Sequence, residues 1–77
     1  MNIIIAGGGK VGSILLRLLS AEGHDLTLID VKHRVLEATA EKYDVIGVSG
    51  NCASMPVLKK AGIEDANLLI ATTHDDE

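Results

Sequence analysis

Seventy-seven residues make one small domain, which can bury only about 60% of its unfolded surface and has little stability to spare. Apolar residues make up 47% with Tyr43 the one aromatic, which excludes a disordered chain and asks for a core of Ile, Val, Leu and Ala. A formal net charge of −4 with no basic run argues against a nucleic-acid or anionic-membrane surface and leaves room for one small-anion site.

Met1 to Ala6 is an apolar, β-branched run of the kind a parallel strand needs when both its faces are covered. Gly7-Gly8-Gly9-Lys10-Val11-Gly12 breaks that run with the spacing G-x-G-x-x-G. A helix is predicted from Lys10 to about Ala21, its inward stripe read as Val11, Ile14, Leu15, Leu18 and Leu19, with Gly23 as its stop. The three motif glycines do different things. Gly7 permits the tight turn, Gly9 the close approach of a pyrophosphate, and Gly12 the packing of the helix on the sheet. The first-turn amides lack intrahelical acceptors and sit at the positive end of the helix dipole, so backbone alone can hold a phosphate. The plain alternative is a glycine-rich turn that only joins strand to helix. A P-loop is excluded, since no G-x-x-x-x-G-K-[ST] occurs.

Leu26 to Ile29 reads as a second strand closing in Asp30, eighteen residues after Gly12. An acidic side chain there can accept hydrogen bonds from a ribose and would repel a 2′-phosphate, favouring NAD over NADP. It can equally cap the helix that follows, and both roles can coexist. Lys32 and Arg34 could reach a phosphate or simply be solvated charges on that helix, predicted over Lys32 to Lys42 with Val35, Leu36, Thr39 and Tyr43 inward. A third strand spans Val45 to Ser49, and Gly50-Asn51-Cys52-Ala53 follows it as either an adenine-side loop or a plain capping loop. Pro56 opens a third helix to about Ala61, Gly62 stops it, Ile63 to Asn67 turns, and Leu68 to Thr72 is a fourth strand. Thr72 and Thr73 could bind phosphate or ribose, or merely end the strand.

The order βαβαβαβ predicts a Rossmann-like α/β fold, one parallel sheet in order 3-2-1-4 with helices on both faces. Ligands of such sheets bind at the carboxyl ends where the order reverses, here between the first and fourth strands. Strand four is left with an unprotected outer edge, from which self-association is expected. Cys52 is the only cysteine, so no intrachain disulfide forms, and a reducing compartment fits best. His24, His33 and His74 show no ligand spacing, and no metal site is expected. No signal peptide or ~20-residue apolar span is present, which makes the cytoplasm the expected location.

These residues carry a resemblance, through Ile3 to Gly12, Leu28-Ile29-Asp30, Gly50-Asn51, Val57 to Gly62 and Ala66 to Thr73. They resemble the RCK N-terminal (TrkA-N) family of nucleotide-binding domains, over essentially the whole chain. The resemblance implies a regulatory domain that binds NAD or NADH, or alternatively ATP, ADP or AMP, without turning it over, and gates a membrane potassium transporter. By that resemblance the phosphate loop falls on Gly7, Gly8, Gly9, Lys10, Val11 and Gly12, and the ribose carboxylate on Asp30. The adenine-side loop falls on Asn51 and Cys52, and further phosphate or ribose contacts on Thr72 and Thr73. It implies an amino-terminal fragment, residues 1–77, of a longer homo-oligomeric subunit held at the inner membrane face through the transporter. The rival reading is the cofactor half of an NAD-dependent oxidoreductase; a third is a nucleotide-free interaction domain. Hydride transfer needs a placed acid or base, and His74 and Asp75, the candidates at the carboxyl edge, have no evident partner.

Overall fold

Three consecutive isoleucines set the centre of the molecule. A computed structural model of the chain describes residues 1–7, 10–51 and 54–72. In chain order the elements are β1 (Asn2–Ala6), α1 (Lys10–Ala21), β2 (Asp25–Asp30), α2 (His33–Lys42), β3 (Val45–Ser49), α3 (Met55–Lys60), a 3-10 turn (Ile63–Asp65) and β4 (Leu68–Ala71). All strand pairs are parallel and the order is β3-β2-β1-β4, as the sequence predicts.

Alternation along a strand sends successive side chains to opposite faces, and β1 serves both. Ile3 and Ile5 join Leu26 and Leu28 of β2 beneath Leu16 of α1 and Leu36 of α2. Ile4 joins Ile29 and Val48 on the other face, where Val57 and Leu58 of α3, with Ala61, Ile63 and Ala66 after it, cover them. Ile3, Ile4 and Ile5 are all 2% exposed or less. Burial of each such side chain stabilises the fold by about 1.5–3 kcal/mol.

The elements fall where periodicity places them, with shifts of a residue or two at the ends. β2 begins at Asp25, whose N–H donates to the Met1 carbonyl and so extends the ladder. Lys32 is the extended N-cap of α2 rather than its first helical residue. β4 closes at Ala71, although the Thr72 N–H still donates to the Ala6 carbonyl at 2.8 Å. Pro56 lies in the first turn of α3, where its missing N–H costs nothing.

The rotation of α1 departs from the expected stripe. Val11, Ile14 and Leu18 are 45–53% exposed, while Leu16, outside that stripe, is 1% exposed, with Leu15 and Leu19 packed beside it. At about 100° per residue the buried face, Gly12, Leu16 and Leu19, lies roughly a quarter turn from the expected one. Gly12 sets this rotation. A Cβ on Gly12 would collide with the Gly7 carbonyl oxygen, so the glycine must face the end of β1, and the residues four and seven positions on face the sheet with it.

Candidate functional site

The carboxyl ends of β1, β2 and β4 lead into Gly7, Asp30 and Thr72, and the register brings these three together. Ala6 pairs with Ile29 on one side and Ala71 on the other, so Gly7, Asp30 and Thr72 follow as neighbours along one edge. The Gly7 N–H donates to the Ile29 carbonyl at 2.8 Å, and the Gly50 N–H to the Asp30 carbonyl at 3.0 Å. The loop after β3, beginning at Asn51, is thereby hung from the end of β2. The reversal of strand order lies between β1 and β4, where ligands of open α/β sheets bind.

Gly7 turns the chain out of β1 at φ +104°, a region costly for any residue with a Cβ. An added Cβ would also meet Thr72 Oγ1 at 2.5 Å and the Thr72 carbonyl oxygen at 2.8 Å. With Gly12 packed against Gly7, these contacts press the amino end of α1 onto the switch point. That first turn holds no acidic side chain to offset the positive end of the helix. Lys10 is the first helical residue and Val11 the second, half exposed. Gly8, Gly9, Cys52, Thr73 and the Lys10 side chain, all candidates from sequence, lie outside the described residues.

Asp30 is 5% exposed, the one buried charged side chain among the described residues. Burying a carboxylate is costly unless it is hydrogen-bonded. Its Oδ1 accepts the Lys32 N–H at 2.8 Å, a bond to the residue two positions on that fixes the turn before α2; the N-cap itself is Lys32, with no side-chain cap bond, so Asp30 is not the helix cap that the sequence offers. Lys32, His33, Arg34 and Val35 line an open depression of about 640 Å³ at the start of α2, which sets exposed cations beside the end of β2. His33 Nε2 lies 3.2 Å from Glu37 Oε1, one helical turn on.

Thr72 holds the other side of the switch point. Its hydroxyl donates toward the Gly7 carbonyl at 3.0 Å and the Ala6 carbonyl at 3.2 Å. Sequence places Thr72 at this edge but leaves unread that its side chain turns back onto the β1–α1 turn. The signal available is the strand order itself, which sets Thr72 beside Gly7. Among the described residues no helix is long and apolar enough to cross a membrane. None of their His, Cys, Asp and Glu side chains group in threes or more to hold a metal ion.

Comparison with known proteins agrees with this arrangement. Trk system potassium uptake protein TrkA of Haemophilus influenzae is 43% identical over all 77 residues, which span 17% of that protein. A TrkA homolog of Methanothermobacter thermautotrophicus is 36% identical over the same residues, 36% of its length. Among solved structures, the Shewanella denitrificans Kef CTD in AMP-bound form superposes with a TM-score of 0.77 at 33% identity, over 90% of this chain and 40% of that one. The TrkA-N domain matches residues 3–77, and the chain belongs to that family.

Proposed function

We propose that this domain is the nucleotide-binding regulatory module of a potassium-uptake protein, taking an adenine nucleotide at the β1–β4 switch point and gating a membrane transporter through the change that binding induces. The observation that carries the reading is the packing of Gly12 on Gly7, which brings the amino end of α1 to an edge shared with the buried Asp30 carboxylate. That pairing suits a pyrophosphate or phosphate at the helix amides and a ribose at the carboxylate. The AMP held by the Kef relative and the potassium-uptake names of the curated relatives support it.

The phosphate loop is Gly7 through Gly12, with Gly9 at the closest approach, and Asn51 and Cys52 lie on the adenine side. NAD or NADH is the proposed ligand, with AMP, ADP and ATP as the alternatives, and binding involves no turnover. Calorimetric titration with AMP, ATP, NAD and NADH tests this directly. Gly9→Val is expected to abolish binding while circular dichroism and melting stay as in the original chain. Unchanged affinity in that variant would remove the phosphate site from the glycine turn. For the gating step, full-length protein carrying Gly9→Val should lose the nucleotide response of potassium uptake.

A further inference from the structure

Thr72 has one hydroxyl proton, and two backbone carbonyls compete for it. Oγ1 lies 3.0 Å from the Gly7 oxygen and 3.2 Å from the Ala6 oxygen, and the Ala6 oxygen also takes the Thr72 N–H at 2.8 Å. A threonine hydroxyl offers one donor and two acceptor lone pairs, whereas a phosphate oxygen at neutral pH only accepts. For Thr72 to donate to phosphate it would have to release a carbonyl in a half-buried place where that bond is costly to lose. The two carbonyl oxygens also point their negative ends at the hydroxyl, which disfavours an anion there.

We propose that Thr72 is a positioning residue for the nucleotide site: it commits its proton to the β1–α1 turn, and any ligand group it meets must be a donor such as a ribose hydroxyl. The assignment rests on the nucleotide reading above and adds to it a role for β4. In a trans peptide unit the carbonyl and amide point opposite ways. Holding the Gly7 carbonyl on the Thr72 side therefore sets the orientation of the unit by which the chain leaves β1. Gly7 occupies φ +104°, open to glycine over a wide range, so the turn lacks side-chain restraint of its own. Gly12 seats against the same carbonyl from the helix side. One oxygen thus receives both the hydroxyl of β4 and the close approach of α1, and the three elements are registered on it.

The test compares Thr72→Val, which keeps the shape and deletes the hydroxyl, with Thr72→Ser, which keeps the hydroxyl. Titration with AMP and with NAD should show Thr72→Val weakened ~10-fold, as expected for one lost hydrogen bond, and Thr72→Ser within ~2-fold of the original. Amide exchange supplies a readout that general loss of stability would not reproduce. The Gly7 amide, whose peptide unit carries the Ala6 carbonyl that the hydroxyl also meets, should exchange faster in Thr72→Val and not in Thr72→Ser, while the Ile5 amide in the sheet interior stays as slow as before. Unchanged AMP and NAD affinity in Thr72→Val overturns the positioning role. Equal loss in both variants overturns it too, because the variant that keeps the hydroxyl should keep the affinity. If the original chain takes up none of AMP, ATP, NAD or NADH, the nucleotide reading itself fails, and this role with it. Normal uptake by the original chain and by Thr72→Val would sink the positioning role alone.

Discussion

β1 and β4 pair over four residues with nearly the same apolar chemistry, yet Ile3, Ile4 and Ile5 are 0–2% exposed while their partners Leu68 and Leu69 are 44% and 43% exposed. Position in the sheet makes the difference. β1 has a strand on each side and helices over both faces; β4 is an edge strand, with only Ile70 packed into the α1–α2 core. Apolar composition therefore marks a strand without marking its depth. The centre holds the fold together, and the edge leads into Thr72, proposed above as a positioning residue, without carrying much of the stability.

The largest effect that would sharpen this contrast is in the centre. Ile5→Ala should cost about 2–5 kcal/mol in denaturant unfolding, since the side chain is fully enclosed and leaves a cavity. Leu69→Ala should cost about 1 kcal/mol or less, in proportion to its exposed area. Equal losses would mean that β4 is as much a part of the core as β1.

Next comes the junction between the two regions. Gly12→Ala forces a methyl onto the Gly7 carbonyl and should destabilise by about 1–3 kcal/mol through overpacking, and AMP affinity should fall with it. A variant as stable as the original would show that α1 can slide away at no cost. At the end of β2, Asp30→Ala should weaken NAD by about 1.5–3 kcal/mol, the usual worth of a charged hydrogen bond, and narrow the preference for NAD over NADP. Because Asp30 Oδ1 also holds the Lys32 amide, some thermal stability should be lost as well. A loss of stability with no change in nucleotide affinity would leave Asp30 with its turn-fixing bond alone.

The smallest effect tests the helix rotation. Leu18→Lys, at a position 53% exposed, should change stability by no more than about 0.5 kcal/mol. Leu16→Ala, on the buried face, belongs with Ile5→Ala. If Leu18→Lys proved the more damaging, the stripe read from periodicity would be the true inner face.

The strand order, the element boundaries to within a residue or two, and the gathering of Gly7, Asp30 and Thr72 on one edge were legible in sequence, because period, glycine and cap signals agree there. The facing of α1 was not. Val11, Ile14, Leu15, Leu16, Leu18 and Leu19 cover a little over half of the helix circumference, so hydropathy offers more than one stripe of similar quality. Steric demand at Gly12 selects one of them, and the close packing that the third glycine of the motif permits is the signal that could have done so. The two readings of Asp30 look alike in sequence because a cap and a ribose acceptor both put an acid just before a helix; the helix starts one residue later than expected, which makes Lys32 the cap. The direction of the Thr72 hydroxyl was beyond reach, since it depends on a carbonyl presented by the far end of the chain.

The bond between Thr72 and Gly7 joins residues 65 apart, and Asn67 with Asn2 makes a matching clasp at the other end of the same strand pair. Contacts this distant along the chain are slow to form, because a long loop must be closed before they reward it. During synthesis the glycine turn and Asp30 leave the ribosome well before Thr72 does, and β1 must wait for its fourth-strand partner. The proposed site is thus completed only when β4 docks, so a chain released before Leu68 would carry the glycine motif without the completed switch point.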